Sequence, residues 1–159
     1  MNRKIKTRKE IGKIVSKLRK ENKKIVTCNG AFDLLHIGHI KFLQEAKEQG
    51  DILIVGLNSD SSIKRYKDKK RPILSEKYRA EMLAALGCVD FVTIFSEKDP
   101  RPLLRIIKPD VHVNGIEYGE ECIESKVVKK YGGRLHLVPM FKDFSTTNLI
   151  KKILRVYKE

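Results

Sequence analysis

The stretch Asn29-Gly30-Ala31-Phe32-Asp33-Leu34-Leu35-His36-Ile37-Gly38-His39 constrains this chain more than any other. Ahead of it, Lys24-Ile25-Val26-Thr27-Cys28 is a β-branched apolar run that predicts a buried strand. Behind it, Ile40, Leu43 and Ala46 recur at helical spacing until Gly50. The stretch is therefore a strand–turn–helix junction. Gly30 lets the backbone turn tightly and lets a ligand come close. Gly38 falls where the helix begins, flanked by His36 and His39. The first N–H groups of a helix carry partial positive charge and favour an anion. Two imidazole donors beside them suit a phosphate group undergoing chemistry. A second reading makes Asp33, His36 and His39 metal ligands, but no fourth ligand follows at a finger-like spacing.

The rest of the chain alternates helices with strands. Residues 7–21 read as a helix, with a Thr7/Glu10 capping box and Ile11, Ile14, Val15 and Leu18 on one face. It packs on the sheet as an extension, 1–22, ahead of a core over 23–155. Asp51–Leu57 is apolar throughout, which predicts a strand buried on both faces. Asn58-Ser59-Asp60 then lies at its carboxyl end, followed by the basic run from Ile63 to Pro72, read as solvated loop. Ser75 opens a helix in which Glu76 and Arg79 are spaced to pair. Val89–Phe95 is a strand, and Asp99-Pro100 caps a helix that Lys108-Pro109 stops.

Val111-His112-Val113 leads into Asn114-Gly115, where a glycine at a strand's end suits close approach of a flat base or a sugar. Cys122–Tyr131 reads as helix and Leu135–Val138 as the fifth strand, with His112 and His136 structural. Ser145-Thr146-Thr147-Asn148 caps a last helix, and such hydroxyls with free N–H groups also make a phosphate cradle. The fold class expected is α/β: one Rossmann-like domain over 1–159, with a mostly parallel five-stranded sheet flanked by helices. Its site is the crevice at the carboxyl ends of the strands.

Composition narrows the function classes. The formal charge of +14 over 159 residues fits anionic ligands. The basic residues are spread along the chain without aromatic interleaving, so a nucleic-acid partner is not expected. No apolar run approaches the roughly 18 residues of a membrane helix, and no apolar segment follows the basic N-terminus, so neither a membrane nor a secretory signal is expected. The three cysteines, Cys28, Cys88 and Cys122, are scattered, which fits reduced thiols in the cytoplasm.

Gly30, Phe32, Asp33, His36, Gly38 and His39 together resemble the extended His-x-Gly-His signature of the nucleotidyltransferase superfamily, in its cytidylyltransferase-like branch. From about 24 to 154 the chain is similar to the adenylyltransferase half of the bifunctional heptose enzyme of lipopolysaccharide-precursor synthesis. Further matching pieces are Asn58-Ser59-Asp60, Arg71-Pro72, Val89-Asp90, Lys108-Pro109-Asp110, Tyr131-Gly132-Gly133 and Ser145–Asn148.

The resemblance implies transfer of AMP from ATP to a sugar 1-phosphate, D-glycero-D-manno-heptose 1-phosphate in the stand-alone form, by a homodimer. It makes His36, His39 and Lys67 catalytic, with Lys64 the alternative lysine. It puts Asn29, Gly30, Ala31, Phe32, Gly38, His39, Lys64, Asn114, Gly115, Ser145, Thr146 and Thr147 on the nucleotide, and Asp33, Arg71 and Arg79 on the substrate. Magnesium travels with the nucleotide, and no dedicated protein metal site is expected. Transfer from CTP to an alcohol phosphate such as glycerol 3-phosphate, or from ATP to flavin mononucleotide, are the related alternatives. Two departures bear on the choice. Asn114-Gly115-Ile116-Glu117-Tyr118 stands where the heptose family has Lys-Gly-Gly-Asp-Tyr, and Met140 stands where glycerol-phosphate enzymes have an arginine.

Overall fold

A computed structural model describes residues 2–66, 69–139 and 145–158. The junction forms as the sequence predicts: strand β1 (Ile25–Gly30) runs into a loop and then helix α2 (Ile37–Glu48), with His36 as its N-cap. Ahead of them, α1 (Arg8–Lys20) begins with the Thr7/Glu10 capping box. After α2 come β2 (Ile52–Asn58), α3 (Asp60–Tyr66), α4 (Glu76–Ala85), β3 (Phe91–Phe95) and α5 (Arg101–Ile107). The chain continues with β4 (Val111–Gly115), a 3₁₀ turn (Ile116–Tyr118), α6 (Ser125–Lys130), β5 (Arg134–Val138) and α7 (Thr146–Val156).

The five strands form one sheet in the order β3-β2-β1-β4-β5, and every pairing is parallel. Side chains of a strand alternate between faces, and here each face meets a helical layer. Val26, Cys28, Leu53, Val55 and Leu57 pack with Leu43 and Ala46 of α2 and Ala80, Leu83 and Ala84 of α4. Ile25 and Ile54 point the other way, onto Ile11 and Val15 of α1 and Leu103 and Ile107 of α5. Burial on both faces explains why these strands read as unbroken apolar runs. The segment before α1 is tied to the edge strand β3: Lys6 N donates to Val92 O at 2.9 Å and Val92 N to Lys4 O at 3.0 Å.

Three elements differ from the sequence reading. The first half of the basic run is helical: Ser59 Oγ accepts from Ser62 N at 3.1 Å, starting α3, and Ile63 is buried. A single apolar residue among serines and cations gives no periodic signal, so the helix was illegible. α5 begins one residue later than expected, with Pro100 in the cap position and Asp99 accepting from Arg101 N at 3.0 Å. α6 is shorter than the predicted Cys122–Tyr131 helix.

The strand order reverses beside β1: β2 lies on one side and β4 on the other. In open parallel sheets that switch point leaves a crevice at the strands' carboxyl ends. Asn29-Gly30 of β1 and Asn114-Gly115 of β4 form its floor.

Candidate active site

A cleft of about 610 Å³ opens at this switch point. Its floor carries Asn29, Gly30, Ala31 and Phe32 from the end of β1, and Asn114 and Gly115 from the end of β4. Gly38 and both His36 and His39 reach it from the start of α2, and Ser145, Thr146 and Thr147 from the start of α7. Two helix N-termini thus border one cavity although more than a hundred residues separate them in sequence.

His36 and His39 stack, with ring centroids 3.8 Å apart and 21° between the planes. The edge of Phe32 meets His39 at 5.2 Å. Phe32 adopts a left-handed backbone, φ 43°, which a bulky residue rarely takes. Its buried ring holds it there, packed so close under Gly30 that a Cβ on Gly30 would lie 3.1 Å from it. Burial lowers the His36 pKa below its ordinary value, and its Nδ1 finds no hydrogen-bond partner among the described residues. At α7, Ser145 Oγ accepts from Asn148 N at 3.1 Å, so the cap and the cleft wall are the same residue.

Asp33 and Arg71 line the cleft together. Arg71 Nη1 donates to Asp33 Oδ2 at 2.9 Å, and the N–H groups of Ile73 and Leu74 donate to the same carboxylate at 2.8 and 3.0 Å. Burial opposes ionisation of Asp33, but these donors outweigh it and hold the carboxyl below its usual range. Asp33 therefore anchors the 71–74 loop against the turn after β1, leaving Arg71 at the cleft edge.

Arg79 corrects an expectation. It neither pairs with Glu76 nor faces the cleft; it is 0% exposed. Its guanidinium donates to Leu74 O at 2.9 Å, Ala31 O at 2.5 Å, Asn58 O at 2.9 Å and Asp60 Oδ1 at 2.6 Å. Five donors in a fixed fork suit the tying of three loop carbonyls at once. Glu76 instead accepts from Asp60 N at 2.7 Å. Lys64 is exposed on α3 and is not among the residues lining the cleft. Lys67 and Met140 lie outside the described residues.

The cleft also takes in Phe42, Ile63, Glu117, Tyr118, Val138 and Pro139, none of them assigned a role from sequence. Glu117 and Tyr118 follow Gly115 directly, and Val138-Pro139 ends β5; position at a strand's carboxyl end was the available signal. Among the described residues no group of three or more His, Cys, Asp or Glu stands ready to hold a metal ion, and Asp33 does not cluster with the two histidines in that way. No described helix is long and apolar enough to cross a membrane.

Comparison with known proteins shows the family and the fold. The cytidylyltransferase-like family model matches residues 27–152. The bifunctional protein HldE of Geobacter metallireducens is 50% identical over 157 residues, 98% of this chain and 32% of that protein. Helicobacter pylori HldE is 48% identical over 148 residues, 92% of this chain and 31% of that one. The chain thus spans about a third of the length of these curated relatives. A lipopolysaccharide core biosynthesis protein from Thermoplasma volcanium superimposes with TM-score 0.61 at 31% identity, covering 76% of this chain and 98% of that one. Pantoate-beta-alanine ligase from Francisella tularensis, at 21% identity and TM-score 0.66, shares the fold over 95% of this chain and 78% of that one.

Proposed function

The chain belongs to the cytidylyltransferase-like family of nucleotidyltransferases, and from that premise we propose that it transfers AMP from ATP to a sugar 1-phosphate, D-glycero-D-manno-heptose 1-phosphate. A phosphate oxygen of the sugar attacks the α-phosphorus, a new phosphoanhydride bond forms, and the bond to the β-phosphate breaks to release pyrophosphate. The nucleophile is already an anion, so no strong base is needed, and catalysis rests on positioning and charge stabilisation.

The observation that carries this reading is the meeting of two stacked imidazoles at the start of α2 with three hydroxyls at the start of α7 in one cleft. His36 and His39 donate to the reacting phosphates, Ser145 to Thr147 hold the triphosphate, and Arg71 receives the sugar phosphate. The floor glycines make room for neighbouring side chains, Gly30 for the Phe32 ring and Gly115 for the Glu117 carboxylate, which brings both to the cleft. Lys67 is assigned the charge growing on the leaving phosphates, with Lys64 the alternative. The cleft wall is rich in donors, and Asp33 is already engaged by Arg71 and two N–H groups. Such a wall suits magnesium carried in by the nucleotide's own phosphates, and the ion would supply charge neutralisation there.

The test is pyrophosphate release from purified protein with magnesium, each of ATP, CTP and GTP, and a panel of sugar 1-phosphates, glycerol 3-phosphate and flavin mononucleotide. Release with ATP and the heptose 1-phosphate is expected. Faster release from CTP with glycerol 3-phosphate, or from ATP with flavin mononucleotide, would overturn the substrate assignment. The HldE relatives and the lipopolysaccharide core protein support the heptose assignment, which a homodimeric, cytoplasmic enzyme without membrane or nucleic-acid partners would serve.

A further inference from the structure

Behind the cleft floor sits a carboxylate that the mechanism above does not use. Glu124, the residue just before α6, is 5% exposed; it shares a hydrogen bond with the Cys122 thiol and lies within electrostatic reach of Arg101. Its two oxygens face two amides. Oε1 accepts from Asn29 Nδ2 and Oε2 from Asn114 Nδ2, each at 3.5 Å. Those asparagines end β1 and β4, the two strands flanking the switch point.

A carboxylate only accepts hydrogen bonds, whereas an amide has a donating and an accepting end. Glu124 therefore decides which way both amides turn: each NH₂ faces the carboxylate and each carbonyl faces away. On Asn114 the carbonyl accepts from Gly115 N at 3.1 Å. On Asn29, Oδ1 is buried with no partner among the described residues. Reversing the Asn29 amide would satisfy nothing, because its carbonyl would then oppose the carboxylate. An acceptor left unpaired in a buried place destabilises the free protein, so a ligand that brings a donor to it gains what the free protein lacks.

We propose that Glu124 is a positioning residue that sets the Asn29 carbonyl as an acceptor for a hydrogen-bond donor on the nucleoside half of the nucleotide. This deepens the nucleotidyltransferase reading and rests on it. The donor belongs to one of two groups of a nucleoside, a ribose hydroxyl or the exocyclic amine of the base. Glu124 acts through the amides, so its removal changes nucleotide affinity rather than the chemical step.

The experiment measures Kd by calorimetry for ATP, 2′-deoxy-ATP and inosine triphosphate, with kcat and KM from pyrophosphate release. The proteins are the wild type, Glu124→Gln, Asn29→Ala and the double variant, with thermal midpoints recorded. In the wild type, ATP binds about tenfold tighter than whichever analogue lacks the donor: 2′-deoxy-ATP if the hydroxyl supplies it, inosine triphosphate if the amine does. Glu124→Gln weakens ATP about tenfold, raises KM with kcat within about threefold, and erases that preference. Asn29→Ala does the same, and the double variant is no worse than either, as expected of two groups acting as one unit. Additive losses, an intact preference in Glu124→Gln, or a fall in kcat alone would overturn the proposal. A wild type that binds no nucleotide at all would instead overturn the transferase reading beneath it.

Discussion

The imidazoles of His36 and His39 lie face to face, 3.8 Å between centroids. Two rings at that separation repel when both are protonated, and burial already lowers the His36 pKa. In the free protein His36 is thus neutral at pH 7 with a donor and an acceptor nitrogen. An incoming phosphate reverses the balance, because a nearby anion favours the charged ring. Nucleotide binding should therefore take up protons between the lowered pKa of the free ring and the higher pKa of the bound one, and affinity should rise as pH falls through the pKa of the bound form. Calorimetry in buffers of different ionisation enthalpy measures this, and His36→Gln should remove most of the uptake.

In the proposed mechanism each ring donates to the reacting phosphates. His39→Ala and His36→Ala should each slow pyrophosphate release by about 100- to 1000-fold, the usual cost of such a donor. Both should keep the far-ultraviolet circular dichroism of the parent. Near-full turnover in His39→Ala would remove it from the mechanism.

Asp33 accepts from Arg71 and from two loop N–H groups at once, so Asp33→Ala leaves three donors without their acceptor. A loss of about 2–4 kcal/mol is expected in urea unfolding, from charge-assisted hydrogen bonds each worth roughly 1.5–3 kcal/mol that only partly add. The folded carboxyl titrates below its usual range, so its contribution is present above about pH 4 and fades as pH drops through the folded value. KM for the sugar phosphate should rise as Arg71 loses its anchor.

Arg79 separates architecture from chemistry. Arg79→Met leaves Asp60 and the carbonyls of Ala31, Leu74 and Asn58 without their donor. The expected cost is about 3–5 kcal/mol. Folded protein at low temperature should still bind ATP within about threefold of the parent, since the guanidinium does not line the cleft. A selective loss of phosphate affinity at unchanged stability would reinstate a substrate contact.

His112 is 0% exposed on β4, its Nδ1 2.8 Å from Thr27 Oγ1, and burial pushes its pKa down to about 3. The unfolded chain binds a proton there at about pH 6.5 and the folded chain does not. Stability from this residue is therefore full above about pH 6.5 and declines as pH falls toward 3, by at most about 1.4 kcal/mol per pH unit. Urea midpoints between pH 7.5 and 5 should fall less steeply in His112→Asn, whatever its absolute stability. Equal slopes in the two proteins would show that the ring titrates freely.

Much of this was legible locally. The apolar runs marked the strands most clearly at β1 and β2, since a strand buried on both faces admits little else. The glycines and histidines between β1 and α2 pointed to where the cleft lies because turn, helix start and donors fall within eleven residues. Arg79 was ambiguous for a physical reason: its spacing to Glu76 and its charge are the same whether it meets solvent, a phosphate or three carbonyls. Glu124 gave no signal, since its partners lie ten and ninety-five residues away.

By itself, then, the sequence determined the alternation of elements and the donor-bearing bend after β1, for these depend on steric preference and hydrophobic period over a few residues. Only the tertiary structure decided that β4 pairs with β1 and not β3, and so opened the cleft there. It also brought Ser145 beside His36, turned Arg79 inward and set Glu124 beneath two amides. Those outcomes depend on which faces bury against one another, and burial is a property of the assembled layers rather than of any segment.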